Sequence, residues 1–105
     1  MYEVDIFSID KNDNLIVTTT LSHNSDDSEL TKNNIIYEFV KTLPNISEFI
    51  RVRNDEGIFT DWDEYAKKGI TAYDDYDAKN ILTSKSLTPL KFKYLPENIK
   101  KIFQK

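Results

Sequence analysis

Two strand-like segments separated by a turn open the chain, and they constrain its fold more than any other feature of the sequence. Residues 2–9 have the alternation of a strand, in which Tyr2, Val4 and Ile6 alternate with Glu3, Asp5 and Phe7. Residues 15–21 are rich in β-branched side chains, a composition typical of strands. Residues 10–14 between them are all Asp, Asn or Lys, and Asp and Asn favour turns. The sequence therefore predicts an opening β-hairpin.

A helix and a second hairpin are predicted next. Apolar side chains recur at helical spacing through residues 29–43, and Pro44 ends the helix because it disfavours helical geometry in the residue before it. Residues 46–53 have the pattern of a strand, residues 54–57 (NDEG) that of a turn, and residues 58–60 that of a short returning strand.

The rest of the chain alternates short segments of both kinds. A helix is predicted from Thr60 or Asp61 to Lys68, with Gly69 as its left-handed stop. Further predictions are a short strand at 70–73, a short helix or turn at 74–82, an edge strand at 86–94 and a terminal helix after Pro96. We therefore expect a single α+β domain over residues 1–105. Its antiparallel sheet would hold two hairpins plus a late edge strand, with two to four helices packed mainly on one face.

Composition excludes several kinds of site and location. The chain has no cysteine, so disulfides, thiolate zinc sites and cysteine nucleophiles are excluded, and its two glycines do not form a phosphate-binding loop. The first residues lack a signal-peptide pattern, and no apolar run approaches the roughly 20 residues that span a bilayer. We expect a cytoplasmic protein with no membrane contact and no cofactor. The net charge of −4 also disfavours direct binding to nucleic acid.

Acidic and aromatic residues are concentrated between positions 61 and 77. This acid–aromatic block consists of Asp61, Trp62, Asp63, Glu64, Tyr65, Tyr73, Asp74, Asp75, Tyr76 and Asp77. Its carboxylates could act as general acid and base, bind Mg²⁺, or cap two helices and face water. A further alternative is a recognition surface, because Tyr and Trp are prominent in binding hot spots.

We interpret the acid–aromatic block as a partner-binding surface and not as a catalytic or metal site. No base with a tunable pKa, no strained turn that exposes a nucleophile and no glycine-rich loop accompanies these acids, so we predict no enzyme activity. Trp62 is left open as either a core residue or an interface residue. A surface of acids among rings is complementary to a basic, partly apolar protein.

In its size, acidity and lack of cysteine, and in the Asp61–Asp77 block, the chain resembles the immunity proteins of bacterial contact-dependent growth inhibition and polymorphic toxin systems. That resemblance implies a cytoplasmic antitoxin that binds one cognate toxin domain, a basic RNase or DNase, as a heterodimer. It would block the toxin's active site or an adjoining surface. Two alternatives remain open at this point: a phage-encoded inhibitor of a host defence nuclease, and a small metal-dependent hydrolase.

Overall fold

The computed structural model describes residues 3–21, 27–52, 60–76 and 79–103. These residues form five strands, three α-helices and one 3₁₀ helix. The strands are β1 (Glu3–Ile9), β2 (Leu15–Leu21), β3 (Phe49–Arg51), β4 (Thr71–Tyr76) and β5 (Lys79–Ser86). The helices are α1 (Asp27–Lys41), α2 (Thr60–Lys67) and α3 (Glu97–Phe103), with the 3₁₀ helix η1 (Phe92–Tyr94) before α3.

The five strands form one mixed sheet in the order β1-β2-β4-β5-β3. β2 and β4 are parallel, and the other three neighbouring pairs are antiparallel. The prediction of an α+β fold is confirmed, but the purely antiparallel sheet is wrong. The parallel pair arises because the chain leaves β2 through α1 and returns through α2, and parallel strands need such a crossover.

The opening hairpin is confirmed, including the chemistry of its turn. β1 and β2 pair with Phe7 opposite Val17. The Asp10 carboxylate accepts hydrogen bonds from the backbone N–H groups of Asn12, at 2.8 Å, and Asn14, at 3.0 Å. Asp13 takes a positive φ of 62°. Asp and Asn are the residue types that tolerate such a turn, as the sequence indicated.

The described residues bear out only part of the second predicted hairpin, which was to join residues 46–53 to residues 58–60. β3 pairs with β5, and residue 60 already begins α2, while residues 58 and 59 lie outside the described residues. The predicted turn at 54–57 lies outside the described residues. A second antiparallel pair of consecutive strands does exist, but it joins β4 to β5. The short helix or turn predicted at 74–82 is therefore wrong at both ends of that segment, where the described residues are strand.

The late edge strand predicted at residues 86–94 is also wrong. β5 ends at Ser86, and only Lys91 makes an isolated bridge, to Asn14. η1 follows, and Leu95 and Ile99 then enter the core. The alternation of apolar residues and lysines in this segment thus belongs to a connection to α3 that bonds to the first turn, where the Phe92 N–H donates to the C=O of Asp13 at 2.8 Å.

All three α-helices pack on one face of the sheet, as predicted. The core on that face joins Phe7 and Val17 from the sheet to Ile36 of α1, Tyr65 of α2 and Ile99 of α3. The rings of Phe7 and Tyr65 meet edge to face, with centroids 5.6 Å apart. This layer holds α2, and with it half of the acid–aromatic block, firmly against the sheet.

Asn33 of α1 closes the free edge of β1. Its side-chain oxygen accepts a hydrogen bond from the backbone N–H of Phe7 at 2.9 Å, and its side-chain NH₂ donates to the backbone C=O of Asp5 at 2.7 Å.

Replacing Asn33 with Ala should therefore lower the free energy of unfolding by about 1–2 kcal/mol, since two partly buried backbone groups lose their partner. Urea denaturation measures this, and Asn34→Ala, at an exposed position, is the matched control. Equal effects of the two changes would contradict the assigned role.

Candidate functional site

The first half of the acid–aromatic block lies on α2, whose ends match their local charges. Asp61 and Asp63 occupy the first turn and Lys67 the last, which suits the helix dipole. Gly69 ends the helix with a φ of 96°. Its N–H donates to the C=O of Ala66 at 3.1 Å, and the N–H of Ile70 donates to the C=O of Tyr65 at 3.0 Å. These two bonds form a Schellman cap, which the sequence predicted from Gly69.

Substituting Gly69 with Ala should lower the free energy of unfolding by about 1–2 kcal/mol, because a side chain at positive φ is strained. A Cβ atom there would also lie 3.1 Å from the backbone oxygen of Thr88 and 3.2 Å from the backbone nitrogen of Leu90. Neither backbone atom can move away easily. The midpoint of chemical denaturation tests this, and an unchanged midpoint would contradict the strained cap.

Asp63 is buried and joins α2 to two strands of the sheet. Only 6% of the residue is exposed. The hydroxyl of Ser84 donates to its Oδ1 at 2.8 Å, Arg51 Nε donates to the same oxygen at 3.3 Å, and Arg51 Nη2 pairs with Oδ2. The predicted partner-binding role therefore does not suit Asp63, whose carboxylate is fully engaged inside the protein.

Tyr65 and Trp62 belong to a polar network beneath α2. The Tyr65 hydroxyl donates to Asp5 Oδ2 at 2.7 Å, and the Thr19 hydroxyl donates to Asp5 Oδ1 at 2.7 Å. The indole N–H of Trp62 donates to Thr19 Oγ1 at 3.0 Å. These bonds connect two rings of the block to β1 and β2. Trp62 and Thr19 are 43 positions apart in the sequence, and Tyr65 and Asp5 are 60 apart.

The burial of these two rings differs. Tyr65 is 7% exposed, and its burial, helped by the bond to Asp5, raises the pKa of its phenol far above the ordinary value. It therefore remains a proton donor to Asp5 and offers no surface. Trp62 is half-buried and packs against the core with one part of its ring system still accessible. Trp62 is thus both a core residue and a potential contact.

Asp61 and Glu64 are the exposed acids of α2, and they line a groove between α1 and α2. The groove has a volume of about 170 Å³ and is lined by Asp5, Tyr37, Lys41, Asp61, Glu64 and Lys68, among others. Glu64 pairs with Lys67 at 3.0 Å. Both partners of that pair are well exposed, so water screens the pair and the carboxylate remains accessible to another cation. We call this site the α1–α2 groove.

The second half of the acid–aromatic block is divided between the two faces of the sheet. Asp74 lies opposite Thr19 on the face that carries the helices. Tyr73 and Asp75 point to the other face because side chains alternate along a strand, and the Thr20 hydroxyl donates to Asp75 at 3.0 Å. The Tyr76 side chain and Asp77 lie outside the described residues. The structure therefore does not bring the predicted site residues together on one surface.

A second accessible surface, which the sequence reasoning missed, lies on the face opposite the helices. A row of paired residues crosses it from Ile6 through Thr18 and Tyr73 to Leu82. Ile16 lies in the next row, and all five are half-buried. None of the described helices packs there. The sequence of β1 did indicate this second surface, because its apolar side chains lie on both faces of the strand.

Among the described residues, no three His, Cys, Asp or Glu side chains approach closely enough to hold a metal ion. No helix in the described part of the chain is long and apolar enough to cross a membrane. Comparison of the chain with protein-family models, with curated proteins and with solved structures found no match.

Proposed function

We propose that this chain is an immunity protein that binds and neutralises a basic toxin domain, a nuclease, by inserting a basic side chain of that toxin into the α1–α2 groove. The observation that carries the proposal is the placement of two exposed carboxylates, Asp61 and Glu64, at a groove with a tyrosine wall. The proposal includes the cytoplasm as the place of action, since a nuclease toxin reaches its substrate there.

The chemistry of the α1–α2 groove suits a lysine or arginine side chain. Asp61 and Glu64 supply negative charge, and the half-exposed ring of Tyr37 already has the Lys41 ammonium 5.3 Å from its centroid, a place that a cation of the partner could take over. Arginine is the better occupant because its planar guanidinium can bond a carboxylate and stack on a ring together. Lys41 and Lys68 also line the groove, so a guanidinium must approach beside Asp61 and Glu64 and not beside these two lysines.

A nuclease is the partner class that best matches this charge pattern. Enzymes that cut nucleic acid carry lysines and arginines for phosphate contacts. The net charge of −4 on this chain attracts such a surface at long range and raises the association rate. Trp62, half-buried beside the exposed acids, would contribute an apolar contact at the edge of the interface.

Co-expression of this chain with the products of the two adjacent genes tests the proposal. We expect one product to co-purify with this chain and to degrade RNA or DNA, and we expect that activity to disappear when the purified chain is added. A catalytically inactive variant of the same product should still bind, because neutralisation by docking does not need turnover. If neither product binds or neither has nuclease activity, the proposal fails.

A further inference from the structure

β3 is an edge strand of the sheet, and among the described residues some of its backbone groups have no hydrogen-bond partner. The backbone groups of Glu48 and Val52 bond to β5 at 2.9 and 2.8 Å, so alternate residues of this strand face their neighbour. The N–H and C=O groups of Phe49 and Arg51 therefore point away from the sheet. No partner for them exists among the described residues. Such an edge is a template for another strand.

The two edges of the sheet differ in this respect. At β1, Asn33 occupies the outward N–H of Phe7 and the outward C=O of Asp5. At β3, no described side chain bonds to the outward backbone groups of Phe49 and Arg51. The described sheet can therefore grow at β3 and is blocked at β1, so the sheet formed by the described residues offers a single free edge.

Exposed apolar side chains are concentrated around this free edge. Of the seven large apolar side chains that are exposed in the described residues, four flank β3 or lie at the adjoining end of β5: Ile46, Ile50, Val52 and Leu87. Their exposed fractions are 75%, 51%, 51% and 49%. Contiguous exposed apolar surface of this kind marks interaction sites.

We propose that two copies of this chain pair through β3 as an antiparallel two-fold dimer, with Ile50 opposite Ile50 of the partner subunit. In that register Phe49 lies opposite the partner's Arg51, so the four outward backbone groups of each copy meet their complements in four hydrogen bonds. A cation lies across from a ring on both sides of the axis, which is favourable. The register is self-complementary in hydrogen bonding and places no like charges opposite each other.

The neighbouring registers are worse for identifiable reasons. A two-fold axis at Arg51 would place two guanidinium groups directly opposite each other, and like charges in that position are destabilising. An axis at Phe49 would require the outward N–H of Ser47, which already donates to the C=O of Lys67 at 2.8 Å. The axis at Ile50 avoids both conflicts.

A dimer of this kind is closed, because pairing uses the one free edge that the described strands of each copy present. Continued growth into a filament would need a second open edge, and Asn33 blocks it. The α1–α2 groove lies on the helix-bearing face, and no residue of β3 is part of its lining. The dimer is therefore independent of the proposed function. A dimer with both grooves occupied would carry two toxin molecules.

Cysteine cross-linking of the full chain tests the register, and the absence of native cysteine makes the result specific. Ile50→Cys places two thiols at a non-hydrogen-bonded pair, where Cα atoms lie about 4.5 Å apart, within the range of a disulfide. Val52→Cys places them four residues apart along the strands, about 13 Å, beyond that range. We expect Ile50→Cys to form a disulfide dimer at least tenfold faster than Val52→Cys under mild oxidation. Equal rates, or a faster Val52→Cys reaction, would overturn the register.

Sedimentation of the unmodified chain over a concentration series tests the dimer itself. We expect a dimer that dissociates on dilution in the micromolar range, since a short strand pairing is a small interface. Ile50→Lys should abolish it, and Ile35→Lys, at an isoleucine of α1 with 46% exposure, should not. A chain that remains monomeric up to about 1 mM, or equal sensitivity to both substitutions, would overturn the proposal.

Discussion

Replacing Arg51 with Met is expected to lower the free energy of unfolding by about 2–4 kcal/mol, because the change leaves the Asp63 carboxylate buried with one hydroxyl donor. The lower end of that range applies if water reaches the carboxylate from the Arg51 side, since the Arg51 side chain is 51% exposed. Chemical denaturation measures the loss. A cost below about 0.5 kcal/mol would mean that the pair behaves as an ordinary surface ion pair.

A double substitution separates lost packing from lost charge compensation. Asp63→Asn keeps an oxygen that can accept the Ser84 hydroxyl, so this change alone should cost less than Arg51→Met. The Arg51→Met and Asp63→Asn double variant should recover more than half of the loss, because no buried charge remains unpaired. Additive costs would contradict the assigned role of Arg51 as the counter-charge of Asp63.

Reversing both groove acids, Asp61→Lys with Glu64→Lys, is expected to slow association with the toxin about 10- to 100-fold at low salt. The acids act at the rim, so they guide the encounter more than they hold the complex. The difference from the unmodified chain should shrink to a few-fold in high salt, where the screening length is only a few ångströms. Stopped-flow association at two salt concentrations measures both effects.

The matched control is Glu29→Lys with Glu97→Lys, which changes the net charge by the same amount. Both positions are exposed acids near helix starts and lie outside the lining of the α1–α2 groove. Their reversal should slow association by no more than about threefold, through net charge alone. If the control slows association as much as the groove variant does, the attraction is diffuse and the groove has no specific part in it.

The elements predicted correctly from the sequence are those that neighbouring residues determine. The first hairpin rested on a turn of Asp and Asn residues, and α2 rested on acids at its start and Gly69 at its end. The strand predicted at 70–73 matches the first half of β4, but its continuation and β5 were missed because Asp74 and Asp75 have low strand propensity. The strand conformation of β4 comes from pairing with β2, which lies more than 50 residues earlier, and β5 pairs in turn with β4 and β3, so no local pattern shows either strand.

The candidate site was predictable in part. Trp62, Tyr65 and Ala66 have the spacing of one helix face, which indicates that the two rings turn toward the core and that Asp61 and Glu64 turn toward water. The burial of Asp63 was not predictable in this way. It depends on the contact with Arg51 of the edge strand β3, and only the tertiary fold creates that contact.

Hydrogen exchange of the chain, free and bound to the co-purifying nuclease, tests most directly whether partners dock at the α1–α2 groove. Docking at this groove predicts slower exchange in the bound state across residues 60–68 and 33–41, with little change in β1, β2 and β4. Protection confined to those three strands would show that the partner covers the helix-free face of the sheet, and it would contradict the groove as the binding site.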